Sequence, residues 1–402
     1  MIDRNVVAKE KMARAKELMN QYGIDMWVIY ARGKRDTALE LMFNTDTKNE
    51  VLFVLTASGQ RIALAQPEDA AKYRESQMYT QVVEAPQAEL TTQFKAIFEE
   101  VSPKKLALNI STDDGRCDGL SMGLFKKLEK AIGAETMAQV WCSSYEMLEE
   151  LRAVKTPMEI QIMKECSVIT TDIYDALFKR IHVGMTEVGV ANMMLEECAK
   201  RGVGTGYADP EEPPLVLMPK GGMSHRGPND INKIEAGDVL VIDFSIRYYG
   251  YTSDIARTMY FLKPGEAHAP QEIQDVANAA IEAVGNCMAM IKPGVKGCEV
   301  DHVGRSTILS HGYPEFFHST GHQVGLEVHD GGTLLGKPGK RASEQRIRKN
   351  EIYALEPTVL QDRSKASAII EDNVLITDNG CELISKRQTA LIEIPYRTAE
   401  GK

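Results

Sequence analysis

The sequence lacks the features that mark several classes of protein. Its 402 residues contain no apolar stretch of about 18 residues, the length that a membrane-spanning helix requires. The N-terminus has no apolar signal region, and glycine-rich phosphate-binding loops are absent. The net charge is −10, which would repel a nucleic acid. We therefore expect a protein whose partners include neither a membrane nor a nucleic acid.

The seven cysteines are scattered, and none forms a Cys-x-x-Cys pair. An odd number of isolated thiols is typical of reduced cysteines, which are the rule in the cytoplasm. We therefore expect a cytoplasmic protein in which the cysteines serve packing rather than chemistry.

The chain is long enough for two domains, and its first part has the pattern of an α/β domain. An amphipathic helix is predicted over 6–22, and apolar runs over 51–55 and 61–65 predict a hairpin. We expect this domain to span residues 1–148 and a second domain to span residues 149–402.

Two aspartates give the first chemical signal. Asp243 ends the apolar run 239–242, which predicts a buried strand. Residues 248–251 predict a turn into a second strand, so the chain reversal can bring Asp254 beside Asp243. Carboxylates a few ångströms apart repel each other unless a cation lies between them. The pair therefore indicates a metal or catalytic site, although two polar strand ends at a hairpin would give the same pattern.

Three of the eight histidines, His318, His322 and His329, lie close together in the sequence. Imidazole is the commonest nitrogen ligand of transition metals, and it transfers protons near neutral pH. The glycines among these residues argue against a long helix, and the alternation of residues over 324–329 predicts a strand. The cluster therefore favours a functional site over three structural histidines.

Two glutamates complete the candidate site. Glu356 ends an apolar strand at Pro357, which cannot donate to a sheet ladder, and Glu371 lies between two apolar runs. Together with the aspartates and a histidine, they form an oxygen-rich ligand set with one nitrogen. Such a set suits a pair of Mn²⁺, Co²⁺, Fe²⁺ or Zn²⁺ ions bridged by carboxylates and a water.

An internal repeat supports the same site. Gly184 and Gly294 occupy similar positions, because each follows one long helical pattern and precedes another. The first helix of each pair is expected over about 157–180 and 270–290, and strands with candidate ligands follow in each half. We therefore expect two related helix–helix–strand units that face each other, with the acids at their seam.

The region from about Leu151 to Ser385 resembles the peptidase family of prolidase, aminopeptidase P and methionine aminopeptidase, whose pita-bread fold is shared by creatinase. The resemblance implies an α+β fold, in which a creatinase/prolidase-like N-terminal α/β domain precedes a C-terminal pita-bread domain with pseudo-two-fold helix–helix–strand repeats. It also implies a homodimer, in which the basic segment 32–35 is either a solvated loop or part of a neighbouring subunit's active site. The matching motifs are Leu151–Glu159, Ser224–Pro228, Asp243 with Asp254, Gly321–His322 with His329, Glu356–Pro357 and Glu371–Asp372.

The resemblance implies a role for each candidate ligand. Asp243 would chelate one ion, and His322 with Glu356 would hold the other. Asp254 and Glu371 would bridge both ions. The expected cofactor is therefore two divalent metal ions, with Mn²⁺ first and Co²⁺, Zn²⁺ or Fe²⁺ as alternatives.

The resemblance also implies the chemistry. A water shared by two cations would lose a proton near neutral pH and attack the scissile carbonyl, and Glu356 would carry that proton to the leaving nitrogen. His225 and His329 would hold the substrate and steady the developing oxyanion, and His318 would line the same pocket. The implied function is hydrolysis of short peptides at Xaa-Pro bonds, by a Xaa-Pro dipeptidase or aminopeptidase.

Two positions depart from the family pattern. Family peptidases usually carry arginine two residues before the last glutamate, where this chain has Ile369, and glycine after the Glu-Pro pair, where it has Thr358. The first change removes a positive charge beside the acids, for which Arg257, Arg363 or Lys365 could compensate. The alternatives are therefore a creatinase-fold hydrolase or lyase that acts on a small non-peptide substrate, such as a small amide, and a non-catalytic binding protein.

Overall fold

The structure, a computed structural model, describes residues 2–33, 36–45, 47–206, 213–223, 226–363 and 365–398. It divides into two compact units, Met1–Arg152 and Ala153–Lys402. The boundary expected after residue 148 falls inside the helix Tyr145–Ala153. Each unit has its own sheets and its own buried apolar core. Over the described residues, no helix combines the length and the apolar character needed to cross a membrane.

The first unit combines a six-stranded sheet with helices. Its strands are β1 (Met26–Arg32), β2 (Glu50–Thr56), β3 (Arg61–Ala65), β4 (Gln81–Glu84), β5 (Leu106–Leu108) and β6 (Trp141–Ser143), and its helices are α1 (Arg4–Tyr22), α2 (Ala38–Phe43), α3 (Pro67–Glu75), α4 (Leu90–Val101), α5 (Met122–Ile132), α6 (Ala134–Val140) and α7 (Tyr145–Ala153). The sheet order is β4-β3-β2-β1-β5-β6, and β1 pairs antiparallel with β2 and parallel with β5. Strand β2 is buried at every residue, as expected where both faces of a sheet are covered. The predicted first helix and the hairpin of β2 and β3 are therefore confirmed.

The basic segment 32–35 is described only in part. Arg32 Nε donates to Oε1 of the buried Glu50 at 3.1 Å, and Lys127 donates to the same carboxylate at 2.7 Å. Arg32 therefore takes part in an ion-pair cluster of the first unit, whereas Lys34 and Arg35 lie outside the described residues.

The second unit contains paired helices and small sheets. Its helices are α8 (Pro157–Phe178), α9 (Glu187–Arg201), α10 (Gln271–Met290), α11 (Gly297–Ser310) and α12 (Arg341–Glu344), and its strands are β7 (Gly204–Thr205), β8 (Leu215–Leu217), β9 (Val239–Phe244), β10 (Ile246–Tyr248), β11 (Tyr251–Thr252), β12 (Ile255–Phe261), β13 (Gly321–Gln323), β14 (Ile352–Leu355), β15 (Asp372–Ile376), β16 (Cys381–Leu383) and β17 (Ile392–Ile394). The sheet orders are β11-β10-β7, β17-β12-β9-β8 and β13-β14-β15-β16. Helix α8 contacts α9, and α10 contacts α11.

The predicted repeat is visible in the turns between the paired helices. Gly184 follows α8 and Gly294 follows α10, with φ of 93° and 90°. Glycine adopts this backbone conformation without a steric penalty. The amide of Gly184 donates to the carbonyl oxygen of Ile234 at 2.8 Å, and the amide of Gly294 donates to that of Ile347 at 2.9 Å. The two halves therefore share one local geometry, and strands with candidate ligands follow in each.

One predicted strand is wrong. The segment 324–329 leaves β13 and forms bends. The carboxylate of Asp330 accepts from the amide of Glu327 at 3.2 Å and from Nζ of the buried Lys155 at 3.0 Å. A Cβ at Gly325 would lie only 2.0 Å from that carboxylate, so glycine is required for this close approach. The alternation in the sequence therefore belongs to a loop that folds back onto a buried ion pair.

Candidate metal centre

The first pair of acids lies on the hairpin formed by β9 and β12. Asp243 is the second-last residue of β9 and faces Ala256 of β12 in antiparallel register. Asp254 immediately precedes β12, and Ser245 donates a hydrogen bond to its Oδ1 at 2.7 Å. The predicted chain reversal is therefore present, and it brings the two aspartates to one end of the hairpin.

The second group of candidate ligands lies on or directly beside three neighbouring strands of one sheet. His322 lies on β13, Glu356 follows the last residue of β14, and Glu371 immediately precedes β15. Leu355 pairs with the strand residues adjacent to His322 and to Glu371. The register of the sheet therefore places all three side chains near the same point.

Hydrogen bonds join the two groups. The amide of Glu371 donates to the carbonyl oxygen of Ala256 at 3.1 Å. Asn373 accepts from the amide of Asp254 at 3.0 Å and donates to the carbonyl oxygen of that residue at 2.7 Å. Arg257 donates to the carbonyl oxygen of Glu371 at 2.6 Å. These bonds fix the two halves of the second unit to each other where the acids meet.

His322 lies among the acids. Its Nε2 is 3.4 Å from Oδ2 of Asp254 and 3.7 Å from Oε1 of Glu356. One possible ligand atom from each of Asp254, His322 and Glu371 lies within 4.8 Å of the other two. The Nδ1 atom of His322 is 3.2 Å from the main-chain oxygen of Gln323. Donation of the Nδ1 proton to that oxygen directs the Nε2 lone pair toward the acids, as in a metal-ligating histidine.

Burial and mutual repulsion disfavour the charged forms of the acids. Burial, and then the charges of Asp254 and Glu356, raise the pKa of Asp243 well above its ordinary value. Burial, and then the charges of Asp254 and Asp243, also raise the pKa of Glu371 well above its ordinary value. Burial raises the pKa of Glu356 to about 7. Burial opposes the charge of His322, but its contacts with Asp254 and Glu356 raise its pKa to about 9. The cluster therefore favours positive charge at its centre.

Divalent metal ions fit this set of donors. Oδ1 of Asp243 is buried without a hydrogen-bond partner among the described residues, and such an atom is costly unless a ligand satisfies it. The carboxylates and the imidazole form the oxygen-rich set with one nitrogen that Mn²⁺, Co²⁺, Fe²⁺ or Zn²⁺ accepts. The structure therefore brings together Asp243, Asp254, His322, Glu356 and Glu371, the five residues named from sequence as ligands.

The cluster adjoins a cavity of about 270 Å³ in the second unit. The side chain of Glu356 is 22% exposed, whereas that of Asp254 is 6% exposed. Glu356 is therefore the more accessible of these two acids to a molecule in the cavity. The titratable residues that line the cavity are Asp243, Asp254, His318, His322, His329 and Glu356.

Comparison with known proteins identifies the family. The model of metallopeptidase family M24 matches residues 161–378, which is more than half of the chain. The chain belongs to metallopeptidase family M24. The resemblance inferred from the motifs is therefore confirmed, as is the assignment to metal-dependent hydrolases, and membership of this family implies divalent metal ions.

Individual M24 relatives agree with this assignment. The chain is 28% identical over 277 residues to a Xaa-Pro dipeptidase of Pyrococcus horikoshii, an alignment that covers 68% of this chain and 73% of the relative. It is 29% identical over 252 residues to the uncharacterized peptidase YqhT of Bacillus subtilis, which covers 61% of this chain and 66% of that protein.

Solved structures show the fold of this M24 chain. The X-Pro aminopeptidase from Thermotoga maritima aligns with a TM-score of 0.76 at 22% identity, over 94% of this chain and 100% of that chain. The Xaa-Pro dipeptidase from Bacillus anthracis aligns with a TM-score of 0.75 at 23% identity, over 96% and 99% of the two chains. The predicted α+β fold, with an α/β domain before a pita-bread domain, is therefore confirmed.

The structure places two of the three remaining candidate histidines beside the candidate metal centre. The ring centroid of His329 is 4.2 Å from that of His322, and His329 lines the cavity. His318 also lines the cavity, and its Nδ1 is 4.0 Å from Oε2 of Glu356. His225 lies outside the described residues, so its role stays a prediction.

The position of the missing family arginine has apolar surroundings. Ile369 lines the cavity, and no Lys or Arg is among the described residues that do so. Of the three cations suggested as replacements, Arg257 instead donates to the main-chain oxygens of Ala256 and Glu371. Neither Arg363 nor Lys365 lines the cavity. The suggested compensation is therefore not seen in the described part of the cavity.

Sequence reasoning missed the contacts that hold the candidate ligands in place. Asn373 fixes the main chain of Asp254, and Ser245 donates to its carboxylate. Thr358 is fully buried, and its hydroxyl donates to the carbonyl oxygen of Glu356 at 2.7 Å. Asn373 had an available signal, because it continues a run of polar residues at the start of an otherwise apolar strand. The contact of Ser245 depends on the hairpin, and the contact of Thr358 is local, but neither leaves a recognisable pattern in the sequence.

Proposed function

We propose that this metallopeptidase hydrolyses short peptides at Xaa-Pro bonds, as a dipeptidase or an aminopeptidase. The convergence of buried carboxylates and one imidazole beside a single cavity carries the proposal. Similarity to a Xaa-Pro dipeptidase supports the substrate class. The cavity volume of about 270 Å³ suits a substrate of only a few residues.

We assign two divalent metal ions to the site, with Mn²⁺ as the first candidate. Asp243 would hold one ion, and His322 with Glu356 would hold the other. Asp254 and Glu371 would serve both ions, and one possible ligand atom of each lies within 4.8 Å of the other and of one in His322. When bound, such a pair lowers the pKa of a water molecule and polarises the scissile carbonyl.

Glu356 is the proposed proton carrier. Its carboxyl group faces the cavity, and a carboxylate within reach of the scissile bond can accept and release a proton. The nitrogen of a Xaa-Pro bond has no hydrogen, so it must gain a proton before it leaves. Glu356 would take a proton from the attacking water and deliver it to that nitrogen.

The histidines of the cavity are proposed to bind the substrate. His329 and His318 present ring nitrogens that can donate to peptide carbonyl oxygens, and donors of this kind stabilise negative charge in the transition state. The matching motif extends the same proposal to His225. These three residues would position the scissile carbonyl, whereas Glu356 would move the proton.

We further propose that the second unit carries the catalysis, and that the first unit is the creatinase/prolidase-like domain of a cytoplasmic homodimer. The family match lies entirely within the second unit. The seven cysteines are free thiols, which agrees with a reducing compartment. The homodimer rests on the resemblance alone.

Metal content and turnover test the proposed function. The full-length protein, stripped with a chelator and reloaded with Mn²⁺, is expected to bind about two ions per chain and to cleave Xaa-Pro peptides. Matched peptides with alanine in place of proline are the control, and they should be cleaved far more slowly. Bound metal with intact Xaa-Pro peptides would refute the substrate class. A protein that binds no Mn²⁺ would refute the site.

A second candidate function is that of a hydrolase or lyase which has the same fold and acts on a small non-peptide substrate. The apolar side chain of Ile369 at the cavity favours it, because the family arginine normally found there is missing. Turnover of a small amide by the Mn²⁺-loaded protein, with proline peptides left intact, would establish this alternative. The non-catalytic binding protein is not proposed, because all five expected ligands are present and lie together.

A further inference from the structure

One wall of the cavity is apolar and lies beside the acids. Ile369 and Met223 pack against a small cluster of buried residues that includes Leu215 and Leu217. These four side chains all line the cavity. The wall therefore joins the two halves of the second unit, because Leu215 and Leu217 belong to β8 whereas Ile369 precedes β15.

The main chain fixes the direction of the Ile369 side chain. The amide of Ile369 donates to Oγ1 of Thr258 at 3.0 Å, and that hydroxyl donates to the carbonyl oxygen of Ile369 at 2.7 Å. Ile370 packs into a different buried cluster. Ile369 instead lines the cavity, as do Asp254 and Glu356. The apolar side chain and these two acids therefore border the same space.

The described residues that line the cavity include carboxylates and imidazoles but no Lys or Arg that could pair with an anion. Arg257 is buried, and it is engaged with Asp372 and with main-chain oxygens. The guanidinium of Arg363 lies beside Gly222, but Arg363 does not line the cavity. An anionic group placed against Ile369 would lose its water without gaining an ion pair with a Lys or Arg of this described lining, which is unfavourable.

An exposed aromatic residue at the same cavity adds to the apolar surface. Phe317 lines the cavity although its side chain is 80% exposed. Its ring meets that of His318 edge to face, with centroids 5.7 Å apart. An exposed aromatic beside a cavity is covered when an apolar ligand group binds there.

We propose that the wall formed by Ile369, Met223, Leu215 and Leu217 is a substrate subsite for an uncharged apolar group, and that Ile369 determines this specificity. The proposal rests on the proposed Xaa-Pro function. A peptide whose proline carboxyl is amidated or continues into a further residue fits this subsite. A dipeptide with a free proline carboxylate does not, because that carboxylate would meet the apolar wall.

Matched substrates test the subsite on the full-length, Mn²⁺-loaded protein. We expect kcat/KM for Ala-Pro-amide to exceed that for Ala-Pro by about tenfold or more, since burying one unpaired charge discriminates strongly. Ile369→Arg should shift the ratio toward Ala-Pro by about tenfold or more, and the control Ile369→Leu should leave it unchanged. Equal or faster turnover of Ala-Pro by the unmodified protein would overturn the subsite, whether or not the arginine variant folds.

Binding separates this inference from the proposed function. Titration calorimetry of the Mn²⁺-loaded protein should show tighter binding of prolinamide than of proline, with the order reversed in Ile369→Arg. Tighter binding of prolinamide without cleavage of any proline peptide would support the subsite and refute the Xaa-Pro function. Cleavage of both peptides with tighter binding of proline would support the function and overturn the subsite.

Discussion

The two halves of the second unit share the same arrangement of paired helices but contribute different candidate ligands. Both halves join their paired helices through a positive-φ glycine whose amide bonds to a later segment. The first half contributes two aspartates from one hairpin of long strands, β9 and β12. The second half contributes a histidine on the short strand β13 and two glutamates directly beside the short strands β14 and β15. The repeat therefore sets where the ligands meet, whereas the nitrogen donor and the proposed proton carrier come from one half alone.

Removing the shared acid of either half should give the largest effect. Asp254→Asn takes one carboxylate from the first half, and Glu371→Gln takes its counterpart from the second. Each change should remove most of the bound metal and lower kcat/KM by about 10³-fold or more, because both ions lose a ligand. Metal per chain by mass spectrometry and peptide turnover measure the two effects.

The matched control for these variants is Asp378→Asn. Asp378 is 72% exposed and pairs with a surface lysine, so its loss should change neither metal content nor turnover. If only one of Asp254→Asn and Glu371→Gln lost metal, the two halves would not share the ions as proposed.

The next largest effect should come from the buried arginine that ties the halves together. Arg257 of β12 donates to Asp372 of β15 at 2.9 Å, and the side chains are 4% and 0% exposed. Arg257→Met leaves a buried carboxylate without its ion pair, so we expect the protein to lose about 3–5 kcal/mol of stability. Chemical unfolding of the metal-free protein measures this loss.

An exposed pair provides the comparison for Arg257. Arg74 and Glu84 lie 2.8 Å apart with side chains 50% and 42% exposed. Arg74→Met should cost less than about 1 kcal/mol, because water screens such a pair. Equal losses for the two variants would show that the Arg257 contact does not hold the halves together.

Most of the candidate acids could be found from sequence because they lie beside apolar runs, whereas Asp254 was found from the predicted chain reversal. The pattern of an acid beside an apolar run is local, and it located Asp243, Glu356 and Glu371 without knowledge of the fold. The long helices of the second unit were also predictable, since their glycine stops repeat.

Contacts between distant parts of the chain could not be predicted. The loop that carries His329 folds back because Asp330 bonds to Lys155, which is far away in sequence. The apolar surroundings of Ile369 depend on β8, and no local pattern connects the two. Sequence therefore revealed the chemistry of the site better than the shape of its cavity.

The stability of the metal-free protein should depend on pH in a definite direction. Burial raises the pKa of Glu356 to about 7, so its ionisation costs more in the folded than in the unfolded chain. Contacts with Asp254 and Glu356 raise the pKa of His322 to about 9 against the opposing effect of burial, so its stabilising charge is lost as pH rises. Both groups therefore lower the stability of the metal-free protein progressively as the pH rises from about 5 to 9.

Thermal unfolding with and without Mn²⁺ measures this dependence. The melting temperature of the chelator-treated protein should fall as pH rises through that window. Excess Mn²⁺ should weaken or reverse the trend, because metal binding favours deprotonated ligands. If the melting temperature of the metal-free protein instead rose from about pH 5 to 9, the raised pKa values of Glu356 and His322 would be contradicted.

The smallest expected effect tests whether the two halves are equivalent outside the site. A Cβ at Gly184 or Gly294 would meet no atom within 4 Å, so substitution by alanine costs only the positive φ. Each of Gly184→Ala and Gly294→Ala should therefore lose about 1–2 kcal/mol in chemical unfolding. The control is Gly380→Ala, where the space is also open and φ is outside the left-handed region, so no comparable strain arises. Equal losses at the two turns would mean that the two halves differ in their candidate ligands but not in the stability of the turns between their paired helices. A loss at only one turn would mean that the two turns have the same geometry but contribute differently to the free energy of unfolding.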